Sequence, residues 1–243
     1  MHKVPAIKSC IVAILVLGFT EAGAYSFGPT DSEWESWPAH CQAKYVWTNI
    51  GKTSKFANTV GEAKKAELAQ WEASGIRGLH HYCAGSLYLK RALLEQDPIR
   101  RRSNLRSARG ETQFSFSRSK TTSPYFAHIA IQMAAIMQEQ EEHDAAIQML
   151  RSTIVAQPKN GVLYSAMAVM QRKLGQLTEA KQTLLQGNEA LEGKSAEINY
   201  NLALILLELG EIDDAVTYAE SAYELGFPLP GLRLKLAKLG HQI

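Results

Sequence analysis

The chain has 243 residues, with 26 basic against 24 acidic side chains and a formal net charge of +2, a balance that argues against nucleic acid as its partner. Its 3 cysteines include no CxxC, and no GxSxG, HExxH, Gly-rich phosphate loop or carboxylate pair on a defined scaffold occurs, which excludes the familiar catalytic constellations. The expectation is a protein that is not an enzyme and carries no cofactor.

The first element is a leader. His2, Lys3 and Lys8 give a positive start, Ile11 to Phe19 is an uncharged apolar run, and Ala22-Gly23-Ala24 is a small-x-small cleavage site. That is the plan of a secretory signal peptide over 1–24, and the run is too short for a comfortable membrane span. Cleavage predicts an extracytoplasmic, periplasmic or secreted chain with no stable span in its mature form. It also leaves two cysteines, Cys41 and Cys83. An even number in an exported protein suggests a disulfide. Closing a loop of about 40 residues, such a bridge stabilises a fold by roughly 3 to 4 kcal/mol in the chain-entropy model. The alternative is a zinc, copper or haem-iron site from His40, Cys41, His80, His81 and Cys83. The adjacent pairs His40-Cys41 and His80-His81 point to different helix faces and there is no CxxCH, so no metal is assigned. A reactive thiol pair is disfavoured by the same lack of CxxC.

Residues 25–123 read as irregular helices. Trp34, Trp37, Tyr45 and Trp47 form an aromatic opening that packs as a cap or, if exposed, docks a partner. Phe56, Val60, Ala63 and Trp71 are spaced for a helix with Lys64, Lys65 and Glu67 on its wet side. Leu79, Cys83, Leu87 and Leu94 predict a longer one, stopped at Asp97-Pro98, which in turn starts the next. The pair 76–95 and 98–117 is a candidate degenerate hairpin, with the small residues Ala84-Gly85. Seven basic residues follow, Arg100, Arg101, Arg102, Arg106, Arg109, Arg118 and Lys120, against Glu111 alone. They form either a solvated face neutralised by Glu139, Glu141, Glu142 and Asp144, or a patch for an anionic partner at Arg100–Arg109.

Residues 124–243 repeat. Tyr164, Met167, Ala168, Leu174, Gly175, Leu177 and Ala180 return as Tyr200, Leu202, Ala203, Leu209, Gly210, Ile212 and Ala215, and Met133, Ala134, Ala146 and Leu150 make a weaker earlier copy. Ala134 and Ala146 precede Ala168 and Ala180 by 34 residues, whereas Ala168, Gly175 and Ala180 precede their copies by 35, so one residue is inserted near 188–195. Within one copy, Leu202, Ile205, Leu206 and Leu209 mark a helix with a buried stripe, and Gly210 stops it. Asp213 is placed to cap a second helix with Val216, Ala219, Ala222 and Tyr223 on its inner face. A hairpin this small gains stability only by stacking on its neighbours.

These residues resemble the tetratricopeptide repeat in three units, 127–160, 161–194 and 196–229. Glu141 stands where the family prefers Gly, and Gly187 and Glu192 where it prefers Ala and Pro. The resemblance implies an all-α fold, an α-solenoid of helical hairpins, here with an irregular helical N-terminal region and a capping helix in 230–243 that carries Leu232, Leu234, Leu236 and Leu239. It also implies a concave groove lined by the first helix of each unit: Ile131, Ala135 and Gln138; Ser165, Val169, Arg172 and Lys173; Tyr200, Leu204, Leu207 and Glu208. Val162 and His128 hold further groove positions. The floor is apolar where carboxylate-holding grooves of the family resemble a Lys and Asn cluster. The expected partner is therefore a protein helix or extended segment held by apolar anchors, with Arg172, Lys173 and Glu208 as polar rims. The expected function is an exported adaptor or scaffold in cell-envelope assembly, unless the chain's own N-terminal helices cover that floor. The runner-up is a metal- or haem-handling accessory protein.

Overall fold

The computed structural model describes residues 28–243, and the leader read over 1–24 lies outside the described residues. The chain is all-α. Helices α1 (Asp31–Ser36), α2 (Ala39–Val46), α3 (Asn49–Lys52) and α4 (Glu62–Ala73) gather at one end. Four antiparallel hairpins follow: α5 (Leu79–Leu94) with α6 (Pro98–Arg118), α7 (Phe126–Glu139) with α8 (His143–Ala156), α9 (Gly161–Lys173) with α10 (Leu177–Ala190), and α11 (Ala196–Leu209) with α12 (Ile212–Glu224). Helix α13 (Gly231–Lys238) closes the far end against α11 and α12.

The repeat residues meet at the helix contacts. Ala134, Ala168 and Ala203 on the first helices and Ala146, Ala180 and Ala215 on the second are all buried, because only small side chains let two helix backbones approach this closely. Between them Leu150, Leu163, Leu184 and Leu202 are fully buried, each worth about 1.5–3 kcal/mol of transfer free energy. The core runs as successive clusters, two of them shared between neighbouring hairpins and the last between the α11–α12 hairpin and α13. No hairpin owns a complete core, which is why the stack is the stable unit.

The turns explain the departures from the repeat pattern. Gly175 and Gly210 take the left-handed conformation with φ of 75° and 79°. Glu141 takes the same one with φ of 65°, so the first unit keeps the geometry without the residue that adopts it freely. The connection between α8 and α9 spans residues 157–160 and that between α10 and α11 spans 191–195. The extra residue falls where Glu192 and Gly193 both have positive φ, 54° and 74°. Proline, fixed near a φ of −65°, cannot stand at 192. Gly187 is required by space: a β-carbon there would sit 2.7 Å from Tyr164 Cγ and 2.9 Å from Ile198 Cδ1.

The segment read as a degenerate hairpin holds α5 and α6. Asp97 caps α6 by accepting the Ile99 and Arg100 N–H groups, with Pro98 in the first turn. Gly85 lets the two helices touch, since a β-carbon there would meet Thr112 Oγ1 at 2.3 Å. Gln132 of α7 donates to Thr112 Oγ1 at 2.7 Å and to the Tyr82 carbonyl at 3.0 Å, so one buried amide ties this hairpin to the next.

Two local expectations fail. The helix read from Phe56 onward begins only at Glu62: Phe56 sits in the preceding turns, stacked on Trp34 at 4.3 Å and 10°. Asp213 does not cap α12. Glu211 holds that position without a side-chain capping bond, its carboxylate pairing instead with Lys181, while Asp213 and Asp214 lie in the first turn, where negative charge favours the helix dipole. The aromatic opening packs inward through Trp34, Trp37 and Tyr45, leaving Trp47 at the surface.

Candidate functional site

The first helices line one side of the stack, α5 against α7, α7 against α9 and α9 against α11. Their second helices lie behind them, and turns with left-handed residues at 141, 175 and 210 separate the two layers. The fold is a tetratricopeptide-like helical-repeat stack. No protein-family model matches the chain, and no curated protein does. Among solved structures, the chain is similar to YrrB, a TPR protein with an unusual peptide-binding site (15% identity over 83% of this chain and 100% of that one, TM-score 0.47). It is also similar to Pseudomonas aeruginosa pilF (20% identity, 64% and 67%, TM-score 0.46) and to MamA of Desulfovibrio magneticus RS-1 (14% identity, 64% and 83%, TM-score 0.44).

The groove positions read from the sequence separate into three groups. Val162 and Val169 of α9 are 44% and 41% exposed, large values for aliphatic side chains in mid-stack. Ile131, Ala135 and Gln138 of α7 and Leu204 and Leu207 of α11 are half-buried beside them. Val169, Arg172 and Leu204 meet around one cleft between α9 and α11, floored by Leu184 of α10, with a volume of about 10 Å³. That is room for roughly one water. The surface suits a side chain laid across it, not an enclosed small molecule.

The second group is the polar rim. Arg172 Nε lies 2.9 Å from both Glu208 carboxylate oxygens, and the Arg172 Nη2 donates to the same group. The bond to Arg172 holds the Glu208 carboxyl below its usual range and raises the guanidinium. Two of the three expected rim charges thus neutralise one another across α9 and α11. Lys173 is exposed and makes no ion pair among the described residues.

The third group is removed from the face. Tyr200 is 9% exposed, with Phe227 stacked on it at 4.0 Å and Tyr223 edge-on at 6.5 Å. Burial raises its phenol pKa. The segment leading into α13 folds back over it, so Tyr200 is a core residue of the cap and not an anchor for a partner. Ser165 is 3% exposed and equally unavailable.

The N-terminal helices reach only the first groove position, where Trp71 packs against His128 at 5.5 Å. Trp71 of α4 is sandwiched by His40 at 4.0 Å and Tyr125 at 4.5 Å, and the Tyr125 hydroxyl donates to Gln70 Oε1. Those contacts sit at the start of α7, before Ile131. The exposure of Val162 and Val169 shows that α1–α4 do not cover the middle of the stack.

The cysteine and histidine residues resolve differently. Cys41 of α2 and Cys83 of α5 form a disulfide with Cα atoms 5.3 Å apart, and both are fully buried. A ring nitrogen of His40 and the two sulfurs lie within 4.8 Å of one another. Both sulfurs are committed to each other, and a cystine offers no thiolate to a metal. His81 is turned away to α6, its Nδ1 2.6 Å from Glu111. His40 pairs Nδ1 with Glu67 at 2.6 Å while its Nε2 is buried without a partner. Burial lowers the His40 pKa against the opposing pull of Glu67.

Most of the basic cluster is internally satisfied. Arg101 pairs with Glu139, Arg109 with Glu142 and Gln140, and Arg100 with Glu95 at 3.3 Å. Arg118 lies over the Phe114 ring. Arg102 and Arg106 are exposed and make no ion pair among the described residues.

Proposed function

We propose that this chain is an exported, non-enzymatic adaptor that holds a helix or extended segment of a partner protein on the concave side of its helical-repeat stack, in the periplasm or an equivalent extracytoplasmic space, during assembly of the cell envelope. The observation that carries the reading is the open apolar strip of Val162 and Val169, continued by Ile131, Leu204 and Leu207. Exposed and half-buried aliphatic side chains on adjacent first helices offer contacts for i, i+3, i+4 anchors of a docked helix or alternate side chains of a strand. With Arg172 and Glu208 paired, recognition is by shape and apolar contact. Specificity then falls to what the strip excludes: a charged segment laid over Val169 leaves its charge unpaired.

A photo-crosslinking residue placed at Val169 and, separately, at the exposed Gln182 of α10 tests the face in cells. The expected result is a discrete adduct from position 169 that Val162→Glu with Leu204→Glu abolishes, and none from 182. Equal adducts from both positions, or a folded double variant that keeps its partner, would overturn the reading. Export is tested apart from this: the mass of the protein recovered outside the cytoplasm should correspond to a chain beginning at Tyr25, and full-length mass there would remove the cleaved leader.

A further inference from the structure

The end of the α5–α6 hairpin carries a surface that the concave face does not use. Leu93, Leu94 and Ile99 are 55%, 68% and 69% exposed, although Leu87, Ala92, Leu105 and Ala108 of the same hairpin are buried. The three stand on either side of the three-residue turn 95–97. Ile99, Arg102 and Arg106 follow at i, i+3 and i+7, so they share one outward face of α6. The two acids of the turn are engaged: Asp97 accepts the first N–H groups of α6, and Glu95 accepts the Asp97 N–H and faces Arg100. What remains is an apolar tip bordered by the exposed charges of Arg102, which after the α6 N–H groups also helps to lower the Asp97 carboxyl pKa, and Arg106.

We infer that this tip docks on an anionic phospholipid surface, with Leu93, Leu94 and Ile99 entering below the headgroups and Arg102 and Arg106 meeting phosphates. The combination has a direct physical logic. Aliphatic side chains at the headgroup boundary gain by leaving water, and arginines within a Debye length of an anionic leaflet add electrostatic attraction. A protein partner fits the tip poorly, because a hairpin end is convex and offers no groove to hold a segment, while a bilayer yields around it. No helix among the described residues is long and apolar enough to cross a membrane, so the contact is peripheral and reversible. It is independent of the concave face, and either assignment can fail while the other stands.

Flotation of the protein, purified after export, tests the tip with vesicles of phosphatidylethanolamine and phosphatidylglycerol against vesicles of phosphatidylcholine alone. Binding to the anionic vesicles should exceed binding to the neutral ones by about ten-fold and weaken in high salt. Leu94→Glu with Ile99→Glu, and separately Arg102→Glu with Arg106→Glu, should each reduce it about ten-fold or more. All four residues are exposed or at the hairpin end, so a helical circular-dichroism spectrum should be unchanged. Lys235→Glu with Lys238→Glu in α13 matches the charge change of the arginine pair and should leave binding within about two-fold. Three results would overturn the inference: no anionic-vesicle binding by the wild type, an equal loss in the α13 variant, or a wild-type dimer that Leu94→Glu with Ile99→Glu converts to monomer. The last would make the tip a contact between copies.

Discussion

Gly187 lies against Tyr164: a β-carbon added at 187 would stand 2.7 Å from the tyrosine Cγ. Helix propensity alone favours alanine over glycine inside a helix by about 1 kcal/mol. Packing outweighs it here, because the ring is 5% exposed and its hydroxyl donates to the Pro158 carbonyl at 3.0 Å. Gly187→Ala should therefore destabilise the protein by about 1–3 kcal/mol, the usual range for overpacking. The midpoint of urea unfolding reads it, and a higher midpoint would show that the α9–α10 contact is looser than this geometry.

Glu141→Gly should act in the opposite direction. Glu141 holds φ of 65° in the turn where Gly175 and Gly210 serve the other units. A non-glycine residue in that region costs roughly 1–2 kcal/mol, and glycine returns part of the gain through the entropy of the unfolded chain. A net stabilisation of about 0.5–1 kcal/mol is expected in the same unfolding experiment.

The disulfide should be invisible to native thiol chemistry. Cys41 and Cys83 are fully buried, so a reductant reaches them only after local opening. For a separation of 42 residues the chain-entropy model gives about 4 kcal/mol, and the reduced protein should unfold at correspondingly lower urea. Thiol titration should find free cysteine at these two positions only in denaturant with reductant. Reaction without reductant would mean an open pair.

Acid should weaken the N-terminal end first. Burial lowers the His40 pKa from its ordinary 6.5, and lowers that of His128 likewise. The unfolded histidine takes a proton at about 6.5 while the folded one resists it, so the unfolded state binds more protons below that pH. Stability is full above about pH 6.5 and falls as pH drops toward the folded-state values. His40→Gln should flatten the stability profile between about pH 7 and pH 5. A slope unchanged in that variant would place the proton uptake elsewhere.

The regular half of this molecule was legible because its contacts are made by small residues at a fixed period. Ala168 and Ala203 or Ala180 and Ala215 have no other reason to recur, and each lies where two helices touch. The face was less legible. Tyr200 occupies a groove position by register, yet the turn at Gly226 brings Phe227 back over its ring, and no periodicity reports a chain reversal. The Arg172–Glu208 pair left a trace in the sequence, opposite charges 36 residues apart in a repeat of 35. The start of α4 was obscured because Phe56 and Val60 imitate helical spacing while Trp34 draws Phe56 into a turn. Leu94 reads as an ordinary helix apolar residue in line with Leu87, and only three-dimensional packing separates the two.

The link between Cys41 and Cys83 gives the stack a polarity in time. A covalent tie holds α2 to α5, whereas α13 is held by the noncovalent packing of Leu232, Leu236 and the Tyr200–Phe227 stack. Opening in a linear array starts from whichever terminus is cheaper to detach. Fraying should therefore travel from α13 toward α5, with amide exchange fastest in the last hairpin and slowest around the cystine. A segment bound across α9 and α11 would act as a brake on that motion.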